Sequence, residues 1–309
     1  MRLLVLGGTR FVGRAVVDEA LAAGHSVTLF NRGRTAPSLY PDVETVIGDR
    51  TVSLAPLAGR QFDTVIDCAG YEPAVVSLSV SALRDSVDRY VFVSSVSVYA
   101  DQSIPAAEGA AVLDDDSYGG RKAACEQVVL SVFGPRAVIA RPGLIVGPHD
   151  PTERFPYWPR RLARGGRVLA PGAPDDPMQF IDVRDLARFL MSRSPSGVFN
   201  VVTTPMPFGE LLSAMDPSAD LVWVSTPDLL AAKVDPWMGV PLWIGDPEWA
   251  AANLVDNSRA VAAGLTTRPP AETAADVLAW DVARGGPAEE PFTAEQELAL
   301  IGGPSVSVG

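Results

Sequence analysis

Short apolar runs alternate with helical patterns along the first half of the chain. The runs are nearly unbroken, which is typical of parallel strands covered by helices on both faces. We predict strands at residues 2–6, 26–30, 45–47, 64–67, 90–94 and 137–140. Val12, Val16 and Ala20 recur at helical spacing after the first run, and another helix is predicted from about Tyr118 to Phe133. This alternation predicts an α/β fold of the Rossmann type, with a doubly wound parallel sheet.

Beyond about residue 148 the pattern becomes irregular, with dense prolines and shorter apolar runs. We therefore predict a Rossmann domain at residues 1–148 and a smaller C-terminal lobe at residues 149–309. Segments at about residues 178–202 are expected to return to the first domain. The second part contains Trp223, Trp237, Trp243 and Trp249. The tryptophans at 237–243 are interpreted either as packing residues or as a wall for a flat or sugar-like ligand.

A glycine-containing turn joins the first predicted strand to a helix, which is the arrangement that binds a pyrophosphate at a helix N-terminus. Tight strand-to-helix turns also need glycine, but the order strand, turn and helix at this position favours dinucleotide binding. Arg10 replaces the middle glycine of the usual pattern and adds a positive charge there. The predicted cofactor-binding residues of this turn are Gly7, Thr9, Arg10, Phe11, Val12 and Gly13.

The end of the second predicted strand distinguishes NAD from NADP. An acidic residue there suits the ribose hydroxyls of NAD, whereas arginine suits a 2′-phosphate. This chain has Asn31, Arg32 and Arg34 instead of a carboxylate, so NADP (NADPH) is favoured over NAD. The alternative is that both arginines only solvate a loop. Asp49 is a candidate adenine contact or a turn former, and Arg50 beside it is a further cofactor candidate.

Tyr118 and Lys122 lie four residues apart on one predicted helix and therefore on the same face, with Glu126 one turn further on. A phenol is a poor base at neutral pH, and a nearby ammonium is expected to lower its pKa. Ser94 and Ser95, at the end of the fifth predicted strand, are placed to polarise a substrate carbonyl. We therefore predict that Tyr118 moves a proton while a nicotinamide moves a hydride.

These motifs together resemble the extended short-chain dehydrogenase/reductase family, also called the NAD-dependent epimerase/dehydratase family. The resemblance covers roughly residues 1–200 and implies an enzyme with a C-terminal substrate-binding lobe. It implies Ser95, Tyr118 and Lys122 as catalytic residues. It also places Cys68, Ala69 and Gly70 near the nicotinamide ribose, and Arg141, Pro142 and Gly143 beside the nicotinamide. The matching motifs are residues 7–13, 68–70, 94–99, 118–122, 141–143 and 180–185.

The motif after Ser95 helps to choose among members of that family. Dehydratases of this type carry an Asp-Glu pair where this chain has Val96 and Ser97, which disfavours dehydration unless Glu108 or another carboxylate substitutes. An NADPH-dependent reductase of a carbonyl on a nucleotide-sugar or small metabolite is favoured. The alternatives are an NAD-retaining nucleotide-sugar epimerase and a non-catalytic RNA-binding member, because the Asn31-Arg32-Gly33 turn also resembles the branch of chloroplast stem-loop RNA-binding proteins.

A net charge of −12 repels nucleic-acid backbones, so a small-molecule substrate is expected and a nucleic-acid partner is not. The basic cluster, residues 154–167, is interpreted as a solvated helix face or as an anion site. A homodimer is implied only by the resemblance.

Two cysteines and two histidines predict neither a disulfide framework nor a metal site. His149, in a loop expected to border the cleft, is interpreted as a substrate contact or as a structural residue of that loop. The apolar run at residues 3–6 is too short for a signal peptide, and no run is long enough for a membrane span. A cytoplasmic location is therefore expected.

Overall fold

The computed structural model describes residues 1–193, 196–290 and 292–302. The strands are β1 (Arg2–Leu6), β2 (Ser26–Asn31), β3 (Glu44–Ile47), β4 (Phe62–Asp67), β5 (Val87–Val93), β6 (Ala137–Pro142), β7 (Ile145–Val146), β8 (Arg167–Pro171), β9 (Pro177–Met178), β10 (Ile181–Asp182), β11 (Gly197–Val201), β12 (Met206–Pro207) and β13 (Asp220–Val224). The helices are α1 (Phe11–Ala22), α2 (Pro73–Leu83), α3 (Tyr118–Phe133), α4 (Tyr157–Ala163), α5 (Val183–Met191), α6 (Phe208–Met215), α7 (Thr226–Ala231), α8 (Ser258–Ala262), α9 (Pro270–Arg284) and α10 (Ala294–Ile301).

A seven-stranded sheet in the order β11-β6-β5-β4-β1-β2-β3 forms the centre of the molecule, and every neighbouring pair in it is parallel. The chain moves outward from β1 through β2 to β3, and then crosses back to β4 on the other side of β1. Ligands bind such sheets at the carboxyl ends of the strands where the order reverses. The predicted Rossmann-type doubly wound fold is therefore confirmed.

Alternate residues of the central strands face opposite sides of the sheet. Leu3 and Val5 are fully buried in the core beneath α1 and α5, whereas Leu4 and Leu6 are buried in the core beneath α2 and α3. Both faces are thus covered by helices, which explains why these strands are almost entirely apolar.

The predicted elements of the first half are present, and the helix predicted at 118–133 has those bounds. The bounds of some strands differ from prediction. β5 begins at Val87 rather than Tyr90, because Asp88 and Arg89 take part in the sheet as polar residues that an apolar run excludes. Ser94 lies just beyond the strand, at the edge where ligands are expected.

The C-terminal part contains a second apolar core, in which Trp158 packs edge-on against Phe208 with ring centroids 5.3 Å apart. The segment after α5 returns to the central sheet, where β11 pairs with β6. The domain boundary at residue 148 stays a prediction, and residues 303–309 of the predicted lobe lie outside the described residues. In the part of the chain that the structure describes, no helix is both long and apolar enough to cross a membrane.

Two arginines of the basic cluster, Arg160 and Arg161, form internal ion pairs. Arg161 is buried and contacts Glu297 of α10 at 2.8 Å. Arg160 contacts Asp281 of α9 at 2.9 Å and Glu290 at 3.1 Å. The prediction of a solvated helix face is therefore wrong for these two arginines, because carboxylates more than 100 residues later in the chain neutralise them.

Candidate cofactor and substrate site

The predicted phosphate-binding turn folds back tightly against the start of α1. Gly7 and Gly8 have φ angles of +113° and +98°, which favour glycine. A Cβ on Gly13 would lie 2.6 Å from the Gly8 nitrogen, so the helix approaches the turn more closely than any other residue permits. Arg10 immediately precedes α1, which Phe11 and Val12 begin. All six predicted residues of the turn therefore lie at the helix N-terminus.

Asn31, the last residue of β2, fixes the turn that follows this strand. Its side chain accepts a hydrogen bond from the Gly33 N–H at 2.8 Å and donates one to the Gly7 carbonyl at 3.4 Å, which joins two predicted cofactor segments. Thr9, Asn31 and Gly33 line a cleft of about 20 Å³. Arg32 and Arg34 are exposed beside it.

Asp49 and Arg50 both have protein partners. Asp49 accepts hydrogen bonds from the hydroxyl and the N–H of Thr51, and these bonds, with the charges of Arg32 and Arg34, lower the pKa of Asp49. It therefore forms a turn, which was the alternative to an adenine contact.

The Arg50 guanidinium donates to both carboxylate oxygens of the fully buried Asp67, at 2.6 and 2.8 Å, and to Ser79. The positive charge of Arg50 is therefore already paired with a carboxylate at the edge of the sheet. Its binding to a cofactor stays a prediction. Asp67 also accepts from the Ala69 N–H at 3.0 Å, so the pair fixes the turn that contains Cys68, Ala69 and Gly70.

The N-terminus of α3 brings Tyr118 to Ser95. A Cβ on Gly119 would lie 2.0 Å from the carbonyl oxygen of Ser97, so the helix touches the backbone of the turn after β5. The Ser117 hydroxyl caps the helix by accepting from the Gly120 N–H at 3.1 Å. The Ser95 hydroxyl is held by Ser97, donating to its hydroxyl at 3.0 Å and accepting from its N–H at 3.1 Å.

Lys122 is buried behind these residues. Its ammonium donates to the carbonyl of Gly70 at 2.8 Å and to that of Val93 at 2.6 Å, and it lies 4.3 Å from the ring centroid of Phe92. Burial lowers the pKa of Lys122 to about 8. The lysine therefore links the ends of β4 and β5 beneath the cleft.

The pKa of Tyr118 is raised, in contrast to the expectation that Lys122 would lower it. Partial removal of the phenol from water is the main cause, the Tyr71 phenol adds to it, and the Ser95 hydroxyl acts in the opposite direction. The Lys122 ammonium points to backbone carbonyls, so it does not stabilise a phenolate at Tyr118 in this arrangement. At neutral pH the Tyr118 phenol is therefore protonated.

A buried cluster supports the floor of the cleft. The Glu126 carboxylate accepts from Arg141 at 2.9 and 2.6 Å and from the Ser94 hydroxyl at 2.5 Å. Ser94 and Arg141 were predicted to bind cofactor, whereas their contacts here hold β5, β6 and α3 together. No role was predicted for Glu126. Its place on the same helix face as Tyr118 and Lys122, together with an arginine in a buried strand, is the signal that could have indicated the ion pair with Arg141.

A cavity of about 490 Å³ is lined by residues from both the N-terminal and the C-terminal parts of the chain. The residues at the helix start, the proton-transfer residues, the turn after β6 and the C-terminal tryptophans all line it. They include Phe11, Val12, Ser94, Ser95, Tyr118, Pro142, Gly143, Trp237, Trp243 and Trp249. Tyr118 keeps 48% of its surface exposed. A carbonyl in this cavity can therefore reach the hydroxyls of Ser95 and Tyr118 beside the predicted cofactor site.

His149 does not line this cavity. Its Nδ1 lies 3.4 Å from a guanidinium nitrogen of Arg14, and its ring packs edge-on against Trp280 with centroids 5.4 Å apart. Burial and the Arg14 charge lower the pKa of His149. These contacts favour the structural interpretation of the loop over a substrate contact.

A model of the NAD dependent epimerase/dehydratase family matches residues 3–193 of the chain. The chain is 28% identical over 224 residues to the chloroplast stem-loop binding protein of 41 kDa b from Arabidopsis thaliana, covering 65% of this chain and 58% of that protein. It is 33% identical over 153 residues to 2'-dehydrokanamycin reductase from Streptomyces kanamyceticus, covering 47% of this chain and 43% of that protein. The chain thus spans about half the length of these two relatives.

The fold recurs in solved structures. UDP-glucuronic acid 4-epimerase from Bacillus cereus in complex with NAD superposes with a TM-score of 0.67 at 16% identity, over 93% of this chain and 99% of that one. At this identity the likeness concerns the fold alone.

Proposed function

The chain belongs to the NAD-dependent epimerase/dehydratase family, and from this premise we propose that it is an NADPH-dependent reductase of a carbonyl on a small molecule. The observation that carries the proposal is that Ser95 and Tyr118 line the same cavity as the start of α1. A cavity with a predicted cofactor turn at one wall and two positioned hydroxyls at another is suited to hydride and proton transfer to one carbonyl.

Ser95 and Tyr118 have different roles in the proposed reaction. The Ser95 hydroxyl donates to the Ser97 hydroxyl in the structure; turned toward the cavity, it donates instead to the substrate carbonyl oxygen and polarises it. Tyr118 then gives its proton to that oxygen, and the product is an alcohol. A bound nicotinamide supplies the hydride that reaches the carbonyl carbon. The pKa of Tyr118 is raised, so its phenol carries a proton at neutral pH and can donate it to the oxygen as the hydride arrives.

The preference for NADP over NAD rests on the loop after β2. Arg32 and Arg34 are exposed beside the cleft formed by Thr9, Asn31 and Gly33, where a 2′-phosphate can pair with a guanidinium. No carboxylate ends β2, in contrast to the acidic residue that suits the ribose hydroxyls of NAD.

A dehydratase is not supported. Val96 and Ser97 line the cavity, and Glu108 instead accepts a hydrogen bond from the Asn200 N–H at 2.9 Å. Among the described residues that form the cavity wall there is no carboxylate to act as the acid or base of an elimination.

Two other activities belong to similar proteins. A nucleotide-sugar epimerase is the second candidate, supported by the shared fold, and it would retain NAD through purification. An RNA-binding role is suggested by the name of the Arabidopsis relative. The net charge of −12 and the pairing of Arg160 and Arg161 with carboxylates oppose it. A small-molecule substrate, a homodimer and a cytoplasmic location remain parts of the proposal.

The proposal is tested with Tyr118→Phe. NADPH oxidation is followed with a panel of ketones and keto-sugars, and dinucleotide dissociation constants are measured on the same preparations. We expect kcat to fall about 100-fold or more while the dinucleotide dissociation constant stays within about threefold.

Tyr157→Phe is the matched control, because Tyr157 is buried in the C-terminal core and does not line the cavity. It should leave kcat unchanged. Unchanged turnover in Tyr118→Phe, or no turnover of any carbonyl by a wild-type protein that holds NAD tightly, contradicts the reductase proposal; the latter result favours the epimerase.

A further inference from the structure

The cavity differs in charge from the rest of the molecule. The chain has a net charge of −12, yet among the described residues that line the cavity there is neither an aspartate nor a glutamate. Arg154 is the one charged side chain among them. The space next to Tyr118 therefore presents a single positive charge to a substrate.

Arg154 differs from the arginines that follow it. Arg160, Arg161 and Arg164 each contact a carboxylate of the C-terminal segment, at 2.9, 2.8 and 3.3 Å. Within the described residues, Arg154 has no such ion pair. The buried Asp150 carboxylate interacts with Arg154 electrostatically but forms no salt bridge with it, so the guanidinium keeps its hydrogen-bond donors for an anion. The guanidinium groups of Arg160, Arg161 and Arg164 are already paired.

The loop that presents Arg154 is fixed by Asp150. This carboxylate is fully buried and accepts hydrogen bonds from the N–H and the hydroxyl of Thr152, both at 2.8 Å. Thr152 lines the cavity together with Arg154. The arginine thus stands at the end of an ordered turn at the cavity wall.

The surrounding wall is apolar and aromatic. Trp237 and Trp249 pack edge-on with ring centroids 5.2 Å apart, and Leu242 and Ile244 lie in the same segment. The indole N–H of Trp243 is occupied, donating to the Thr226 hydroxyl at 3.2 Å. This part of the wall suits the faces and edges of a ring. Among the polar lining residues, the amides of Gln102, Gln179 and Asn253 already donate to protein groups, which leaves fewer donors for a heavily hydroxylated ring.

We propose that the cavity selects a carbonyl compound with a ring-bearing apolar body and one oxyanion, a carboxylate or a phosphate monoester, which Arg154 anchors. This inference rests on the proposed reductase function and specifies its substrate class. A guanidinium pairs with either oxyanion through two parallel hydrogen bonds. A cationic substrate meets no carboxylate in this wall and is repelled by Arg154. A diphosphate would bring a second phosphate group, for which the described lining residues provide no second cation.

The test uses four aryl ketones of similar size on protein saturated with NADP. They are 4-acetylbenzoate and 4-acetylphenyl phosphate as anions, 4-acetylbenzamide as the neutral probe and 4-(aminomethyl)acetophenone as the cation. Binding is measured by calorimetry and by quenching of tryptophan fluorescence. We expect at least one anion to bind about tenfold or more tighter than the amide, and the cation to bind most weakly. The order of the two anions distinguishes a carboxylate from a phosphate substrate.

Arg154→Gln should reduce the preference for the anion to less than about threefold. Arg164→Gln is the matched control, because Arg164 belongs to the same segment, pairs with Glu290 and does not line the cavity; it should keep the preference. Equal binding of anion and amide, a preference that survives in Arg154→Gln, or no binding of any probe overturns the inference. If these results come from protein that binds the dinucleotide, the reductase proposal stands; failure to bind the dinucleotide overturns both.

Discussion

Lys122 holds a buried positive charge whose described contacts are two backbone carbonyls and the rings of Phe92 and Tyr71. The charges of Asp67 and Glu126 offset only part of the cost of its burial. Folding lowers the pKa of Lys122 from 10.5 to about 8, so between these values the folded protein binds fewer protons than the unfolded chain. The free energy of unfolding should therefore rise with pH in this window, and the full penalty for the buried charge is present below pH 8. The effect should be on the order of 3 kcal/mol.

This prediction is measured by urea unfolding at several pH values between 7.5 and 10.5, as the difference between wild type and Lys122→Met. Lys233→Met is the control, because it removes the chain's other lysine from an exposed position. A difference between wild type and Lys122→Met that stays flat across this range contradicts the account of the buried ammonium.

At the scale of single residues the sequence predicted the candidate reactive groups but not the partners that hold them. Tyr118 and Lys122 are four residues apart in the sequence, so their position on one face of a helix could be predicted. The carbonyls that hold Lys122 lie 52 and 29 residues away, and a local pattern contains no information on them. Arg50 and Asp67 are 17 residues apart in the sequence, so their ion pair could not be predicted from a local pattern either.

The contact between α3 and the turn after β5 is the element-scale feature that brings Ser95 to Tyr118. Gly119→Ala should force these two elements apart, because its Cβ would lie 2.0 Å from the Ser97 carbonyl oxygen. We expect a loss of more than about 2 kcal/mol in the free energy of unfolding and a large loss of turnover. Urea unfolding and NADPH oxidation measure the two effects.

Gly109→Ala provides the comparison, because a Cβ at that position has no heavy atom within 4 Å. It should change the free energy of unfolding by less than about 0.5 kcal/mol. If Gly119→Ala is as well tolerated as Gly109→Ala, the helix does not depend on this close contact.

Elements with a strong apolar pattern were predictable, whereas short ones were not. The six predicted strands and the helix α3 are present. Five of these strands are largely buried and have the apolar runs that burial on both faces of a sheet requires, whereas β3 lies at the sheet edge and is mostly exposed. β7, β9, β10 and β12 have two residues each and exist only through their pairing. No periodicity can appear in so short a segment.

At the scale of the whole molecule, the family and the doubly wound sheet were correctly predicted from motifs in the first 200 residues. The cavity was not, because its wall combines residues from the start of α1 with tryptophans more than 200 residues later. From the sequence, the tryptophans of the segment 237–243 could be either packing residues or part of the wall of a substrate site. The structure places both tryptophans in the cavity lining, and Trp243 is also buried in the C-terminal core.

The most direct test of the central claim is calorimetric titration of the wild-type protein with NADPH, NADP, NADH and NAD, after a check for retained cofactor. We expect one site per chain, and we expect NADPH and NADP to bind about tenfold or more tighter than NADH and NAD. Arg32→Ala should remove most of that preference. Arg84→Ala, which removes an exposed arginine after α2, should keep it. Equal binding of all four would contradict the role of Arg32, and no binding of any dinucleotide would contradict the account as a whole.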